Sequence, residues 1–359
     1  MQVSQIKPWL LYFASQFKVA LAKGSCGEIN MNSIGVSNEW GRLREVIVGV
    51  VPEDAVIPTP SHFCFAYLSK PTLDLLQQHQ GKLVKDVMPE ALDGTSRQLD
   101  GLVRAYEKAG VKVQRARPWT EEEQQFLAHL AVGGFPVFMR DPILVVGQHV
   151  IELAVKTPFR RREVFAVREL LQQRVANDPQ ARYVAMPQPL PVKPTPKSDG
   201  PGPFLEGGDI FVMGKHLLVG NSGLASDRAG ITWLQRYLGP EGYQVHEVPL
   251  ADHWLHLDCI FAVVRRGLCI CDTSGLKGGL PAPVKDWEVI PATPEEAHAL
   301  GCNTMCLEEN TVLIAEEHTR LIKELEKRRA NVVSGFRMDI VSRWGGGVRC
   351  ASHPLLRDA

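Results

Sequence analysis

The stretch GDIFVMGKHLLVGNSGLASDRAGITWLQRYLGPEGYQVHEVPL, residues 208–250, contains one full copy of the unit from which the chain is built. Its start reads as two short apolar strands meeting at Gly214-Lys215, a hairpin. "DRAGITWLQRYLGPEG" then places apolar residues at helical spacing and stops at Gly239, and "YQVHEVPL" returns to strand character. The unit is hairpin, helix, strand.

The same order recurs on both sides. Upstream, "PVFMRDPILVVGQHVIEL" predicts two strands joined at Gly147-Gln148, followed by a helix in "RREVFAVRELLQQRVAN". Downstream, "LDCIFAVVRRGLCICD" predicts a hairpin around Arg265-Arg266-Gly267, and "NTVLIA", "HTRLIKELEKRRA" and "NVVSGF" predict strand, helix and strand. Nearer the start, "NEWGRLREVIVGVV" is a turn entering a strand at Glu45–Val50. Leu99, Leu102, Val103 and Tyr106 mark a helix that ends at Gly110, before a strand at Val111–Val113. Alternating hairpins and helices define an α/β class. No fixed-period sequence repeat is evident, and spacing alone leaves open whether the units make an open sheet or a closed ring.

Two segments fall outside the unit. Residues 1–35 include "KPWLLYFASQFKVALAKGS", read as a helical extension, with a signal peptide as the alternative. This extension is a candidate contact surface for a homo-oligomer. Residues 187–203 carry prolines at 187, 189, 191, 194, 196, 201 and 203, too many for a helix or central strand. Because the unit occurs before and after them, they read as a long loop within one domain, a candidate lid.

Composition narrows the function classes. Lys+Arg and Asp+Glu both total 40, so no basic field is available to hold nucleic acid. No apolar run approaches the roughly 20 residues needed to span a bilayer. Eight cysteines in 359 residues do not form a dense disulfide framework. Cys269 and Cys271, or Cys302 and Cys306, could suggest a metal, but "GLCICD" alternates like a strand and "GCNTMCL" has no nearby histidine pair. They read as buried free thiols in a reducing, cytoplasmic setting, with no metal or other cofactor expected.

Four places put charged or reactive groups where the pattern expects quieter residues. Arg140 and Asp141 lie between apolar runs, although Asp-Pro is also ordinary turn chemistry. In "FLEGGDIFV", two glycines separate Glu206 from Asp209, which fits either close approach to a ligand or a solvated turn. In "HWLHLDCIFAVV", a strand would turn His256 and Asp258 to one face, as a proton shuttle or as a satisfied core histidine. In "WGGGVRC", a glycine run precedes Arg349 and Cys350, and a histidine and a nearby cation can activate such a thiol. A thiol, a histidine and several carboxylates suit a planar cation: carboxylates clamp a guanidinium, the thiolate attacks its central carbon, and the histidine protonates the departing amine.

"NEWGRLREVIVG", "RDPILVVGQHVIE", "EGGD", "HLD" and "GGGVRC" occur in the order seen in the guanidino-group-modifying superfamily. From about Val36 to its end, the chain resembles these amidinotransferases, arginine deiminases and dimethylarginine dimethylaminohydrolases. The resemblance implies a single-domain five-bladed α/β-propeller of pseudo-fivefold ββαβ units over residues 36–359. It implies Cys350 as nucleophile and His256 as general acid and then base. It also implies Asp141 and Glu206 as guanidinium-binding acids and Asp258 as the acid accompanying His256. Arg140, Asp209 and Arg349 are further candidates for substrate contact. The longer stretches are similar to amidinotransferases, which transfer the amidino group of arginine to an acceptor amine. "EGGD" and "RCASHPLLRD" are similar to the hydrolases. Transfer is therefore the leading expectation, arginine-deiminase-type hydrolysis the alternative, and a catalytically silent binding propeller the third.

Overall fold

A strand whose side chains are apolar on both faces must be covered on both faces, and strands of this kind help to organise this chain. The computed structural model describes residues 33–57, 70–127, 135–190 and 200–359. The expected extension therefore lies outside the described residues up to position 32, as do residues 191–199 of the proline-rich loop. Residues Asn32–Ala359 form one compact unit.

The described strands form five separate three-stranded sheets. They are β1 (Leu43–Val48), β2 (Lys112–Arg115), β3 (Ile143–Val146), β4 (His149–Glu152), β5 (Arg182–Ala185), β6 (Ile210–Met213), β7 (His216–Asn221), β8 (Gln244–Pro249), β9 (Phe261–Arg265), β10 (Leu268–Cys271), β11 (Glu288–Pro291), β12 (Met305–Glu308), β13 (Thr311–Leu313), β14 (Asn331–Val333) and β15 (Ser352–Arg357). Four sheets follow the chain: β3-β4-β5, β6-β7-β8, β9-β10-β11 and β12-β13-β14. In each, the first two strands form an antiparallel hairpin and the third joins the middle strand in parallel. The fifth sheet, β15-β1-β2, has the same pattern, but its first strand comes from the C-terminus.

Sequence dictates which strand faces inward. β3 (ILVV), β6 (IFVM) and β10 (LCIC) are uniformly apolar and buried along their length. The third strands, such as β2 (KVQR) and β5 (RYVA), keep exposed ends. The expected hairpin turns are present at Gly147 and Gly214, both with positive φ. The helices lie between the second and third strands: Pro89–Lys108, Phe165–Asn177, Arg228–Leu238 and Thr319–Lys327. In Arg228–Leu238, Asp227 caps the N-terminus at 2.7 Å from the Gly230 N–H, and Ile231, Leu234 and Leu238 turn inward. The β10–β11 connection departs from the unit, with only two short 3₁₀ turns at Thr273–Gly275 and Ala282–Val284.

The segment before β1 ties sheets together. Val36 exchanges backbone hydrogen bonds with Gly147 beside β4, and the carbonyl of Ser37 accepts from Gly214 beside β7. Glu39 then enters the interior. It accepts from both terminal nitrogens of Arg349 at 2.7 and 3.0 Å and from the Val212 N–H of β6 at 3.1 Å. Burial alone would raise its pKa, but Arg349 outweighs burial and holds it at about 2.

Breaking one member of this buried pair leaves the other charge uncompensated. Glu39→Ala should cost about 3–5 kcal/mol, read as a lowered thermal midpoint, and Glu39→Met with Arg349→Met should recover part of that loss. Because the folded pKa of Glu39 is depressed, its contribution is present above the ordinary value of 4.5 and is lost as pH falls toward about 2.

Candidate functional site

Each of the five sheets is entered through a short turn before its first strand, and these turns carry the reactive groups. Asp141 precedes β3, Glu206 and Asp209 precede β6, His256 and Asp258 precede β9, Asn303 precedes β12, and Cys350 precedes β15. Asp141, Asn303 and Cys350 each stand two residues before their strand.

The glycines of "EGGD" allow these turns to meet. A Cβ on Gly207 would lie 2.0 Å from the Arg140 carbonyl oxygen, and one on Gly208 would lie 2.6 Å from Nδ1 of His256. Those glycines therefore admit neighbouring parts of the site itself. The glycines before Cys350 act similarly: Gly345 has a φ of +96°, and a Cβ on Gly346 would lie 2.3 Å from the Phe138 ring.

Two clusters result. In the first, the Asn303 side-chain N–H donates to Cys350 Sγ at 3.1 Å, and its carbonyl accepts the Cys350 N–H at 3.0 Å. The same amide donates to the Asp258 carbonyl at 3.0 Å, while an Asp258 carboxylate oxygen lies 3.5 Å from Sγ. Burial, then the charges of Asp258 and Asp141, push the Cys350 thiol well above its ordinary range, so it rests protonated. Asp258 is itself raised, chiefly by burial.

In the second cluster, His256 Nε2 donates to Glu206 at 2.9 Å, and its Nδ1 lies 3.8 Å from Asp141. Burial would lower its pKa, but Asp141, Glu206 and Asp209 outweigh burial and raise it to about 10. The other Glu206 oxygen accepts the Lys156 N–H at 2.9 Å. Asp141 accepts the Gly208 N–H at 3.1 Å and one Arg160 nitrogen at 2.8 Å. Burial works against its charge, yet His256 and Arg160 hold its pKa below the usual value. Arg160 also donates to Glu163 through Nε and a terminal nitrogen, and lies 4.0 Å from Glu206. Glu163 is raised to about 7, mainly by burial.

Asp141, Glu206, His256 and Cys350 line a single cavity of about 400 Å³. The other expected contacts lie elsewhere. Arg349 is engaged by Glu39, and Nε of Arg140 donates to the Arg349 carbonyl at 3.3 Å. Burial and the neighbouring Arg349 lower Arg140 to about 9. Asp209 accepts the N–H groups of Leu257 and Ser226 at 2.9 and 3.3 Å, joining two of the entry turns. None of these three residues lines the cavity. The expected pairing of the acids also differs: Glu206 accompanies His256, whereas Asp258 accompanies the thiol. The reason is local. His256 is extended and Leu257–Cys259 is a 3₁₀ turn, so the strand alternation assumed for His256 and Asp258 does not apply.

Asn303, Glu39 and Glu163 were not singled out from sequence. Only position could have revealed Asn303, which stands before β12 as Cys350 stands before β15. In "GCNTMCL", the two cysteines drew attention instead; among the described residues, Cys302 and Cys306 are free and buried.

Ligand atoms of Asp141, Glu206 and His256 also lie within 4.8 Å of one another, a spacing that a metal ion could use. The chemistry of this set favours a different cation. A raised His256 carries a proton where a metal would need a lone pair, and a guanidinium already occupies Asp141. Among the described residues, no helix is long and apolar enough to cross a membrane.

Comparison with known proteins places this geometry. The chain is 26% identical over 352 residues to inosamine-phosphate amidinotransferase 1 of Streptomyces griseus, covering 92% of this chain and 98% of that protein. It is 27% identical over 356 residues to L-arginine:L-lysine amidinotransferase of Pseudomonas savastanoi pv. phaseolicola, covering 89% and 93%. An amidinotransferase from Microseira wollei, of the saxitoxin biosynthetic pathway, shares the fold with a TM-score of 0.74 at 22% identity, over 91% of this chain and 98% of that one. The family model described as arginine deiminase matches residues 66–291, more than half of the chain, and the chain therefore belongs to the arginine deiminase family.

Proposed function

We propose that this protein is a cysteine-dependent amidinotransferase, moving the amidino group of arginine or a similar guanidino donor to an acceptor amine. The observation that carries this reading is the shared cavity: the Cys350 thiol and the His256–Glu206–Asp141 cluster open into one space. The named activities of the inosamine-phosphate and L-arginine:L-lysine relatives, both transfers of an amidino group, support transfer over hydrolysis. In this reading the five sheets are the blades of a five-bladed α/β-propeller over residues 36–359, with residues 1–35 as an extension. A reducing, cytoplasmic setting suits a catalytic thiol, and the six cysteines among the described residues are free.

The chain's own Arg160 supports a guanidinium site, because its planar cation is held by Asp141 beside Glu206. A donor guanidinium held by Asp141 and Glu206, the two carboxylates that line the cavity, would bring positive charge to the thiol and favour its ionisation. Sγ then attacks the central carbon, and His256 protonates the nitrogen whose C–N bond breaks. In the balance, R–NH–C(NH₂)₂⁺ and Cys–SH become Cys–S–C(NH₂)₂⁺ and R–NH₂. An acceptor amine attacks this intermediate and gives its proton to His256, and the C–S bond breaks. The raised His256 pKa, about 10, is close to that of an alkylammonium, near 10.4, which suits proton exchange with amines in both directions. Arg140, Arg349 and Asp209 hold the turns in place.

Purified protein given arginine and an acceptor amine should yield ornithine and amidinated acceptor, identified by mass. Citrulline and ammonia, formed whether or not an acceptor is present, would establish the hydrolase alternative. Arginine alone should leave one amidino group on the protein, and Cys350→Ser should abolish both the adduct and turnover. Persistence of turnover in Cys350→Ser would overturn the role of the thiol, and ligand binding with no chemistry in the wild type would leave the silent propeller.

The rate should rise with pH above neutrality as the thiol ionises, then fall through about pH 10 as His256 loses its proton. Asn303→Ala removes the amide donor to the sulfur, and kcat should fall about 10- to 100-fold, the equivalent of one hydrogen bond to a charged group.

A further inference from the structure

The cavity above the thiol is acidic only at its floor. Among the described residues, Asp141 and Glu206 are its sole carboxylates, grouped with His256 and Cys350. The walls leading away from them are apolar. Phe135 and Trp344 pack at 5.2 Å between ring centroids, and Leu75, Leu76, Val84 and Met88 continue the surface from the helices after residue 70. This surface is not closed core: Met88, Phe135 and Trp344 are half-buried, and Leu75 is 36% exposed although it is a large apolar side chain. Apart from His256 and from Arg160, which is engaged with the acids, the cation lining the cavity among the described residues is Arg343, exposed at the rim.

A short amino acid such as glycine fits this distribution poorly: with its amine at the floor, its carboxylate would lie against aromatic and aliphatic walls, losing solvation without a partner, whereas the longer chain of arginine separates its carboxylate from the floor. A primary amine on an apolar body matches both ends: the amine reaches the acids and the intermediate, and the body covers the wall. We propose that the acceptor is a primary amine carried on an alkyl or aryl-alkyl body, bound along the face formed by Leu75, Leu76, Val84, Met88, Phe135 and Trp344. This rests on the amidinotransferase reading and specifies the substrate class of that site. The cavity, about 400 Å³, is within the range that encloses small organic ligands.

The test is a competition of acceptors at fixed arginine, using the full chain and the series glycine, lysine, propylamine, hexylamine, octylamine and phenethylamine. The amidinated products are quantified by mass spectrometry. kcat/KM should rise along the alkylamines by about fourfold for each methylene that is buried, which corresponds to about 0.8 kcal/mol per methylene. Octylamine and phenethylamine should exceed glycine and lysine by at least about tenfold, a margin smaller than the burial of two methylenes supplies. Met88→Gln and Leu75→Glu should flatten the chain-length dependence, lowering the octylamine-to-propylamine ratio by about tenfold, an effect of the size of losing one to two buried methylenes. An unchanged thermal midpoint would show that these variants fold. Equal or better use of glycine or lysine would overturn the proposal while leaving amidinotransfer intact, as would a ratio unmoved by both folded variants. Citrulline formation with transfer to none of the amines would instead overturn the underlying reading.

Discussion

A carboxylate buried in a protein interior needs a partner strong enough to replace water, and Glu39 has one in Arg349. The pair does more than satisfy two charges. Glu39 comes from the segment before β1, whereas Arg349 immediately precedes Cys350. Glu39 also accepts from the β6 backbone, Arg349 donates to the Ile210 carbonyl at the start of β6, and the Phe211 ring lies under the guanidinium at 3.9 Å. One ion pair thus fastens the beginning of the unit, its last turn and the third sheet to one another. The thiol stands one residue from that junction, so its position is set by an interaction that never touches the cavity.

This separation of framework from chemistry runs through the site. Arginines and acids that might have been expected to meet substrate are used to hold turns, each with its partner within the protein. Asp209 bridges the turns before β6 and β9, and Asn303 bridges the turns before β9, β12 and β15. The turns before the five sheets carry different side chains, a cysteine before β15 and a histidine before β9 among them. The repeated unit supplies proximity, and substitution within it supplies the distinct roles.

The units themselves were legible because period-two apolar runs, glycine turns and helical spacing are local signals. Gly214-Lys215 and Gly147-Gln148 mark turns where they were expected. The partner of β1 was not legible: β15 lies some three hundred residues away, and nothing near Leu43 announces it. The site divides in the same way. Cys350, His256, Asp141 and Glu206 stand out because reactive or charged groups interrupt apolar patterns. Asn303 is neutral and sits between two cysteines that attract a metal or thiol reading. Glu39 resembles an ordinary turn acid in "NEWGR" until the fold brings Arg349 to it. Strand alternation placed His256 and Asp258 on one face, but Leu257–Cys259 is a 3₁₀ turn, where residues two apart need not share a face, and the carboxylate hydrogen-bonded to His256 is that of Glu206.

The resting charges give the site a coherent logic. Burial, then Asp258 and Asp141, holds the thiol protonated, and Asp141, Glu206 and Asp209 hold His256 protonated against burial. An acid cluster that suppresses the nucleophile when empty becomes neutralised when a cation enters, and the penalty on the thiolate falls at that moment. Reactivity is then coupled to occupancy by a cation rather than to pH alone. Arg160 belongs to the same balance: with His256 its guanidinium outweighs burial at Asp141, whose pKa lies below the usual value, whereas at Glu163 burial prevails and the pKa is raised to about 7. A buried acid floor capable of holding a guanidinium thus depends on a guanidinium supplied by the chain itself.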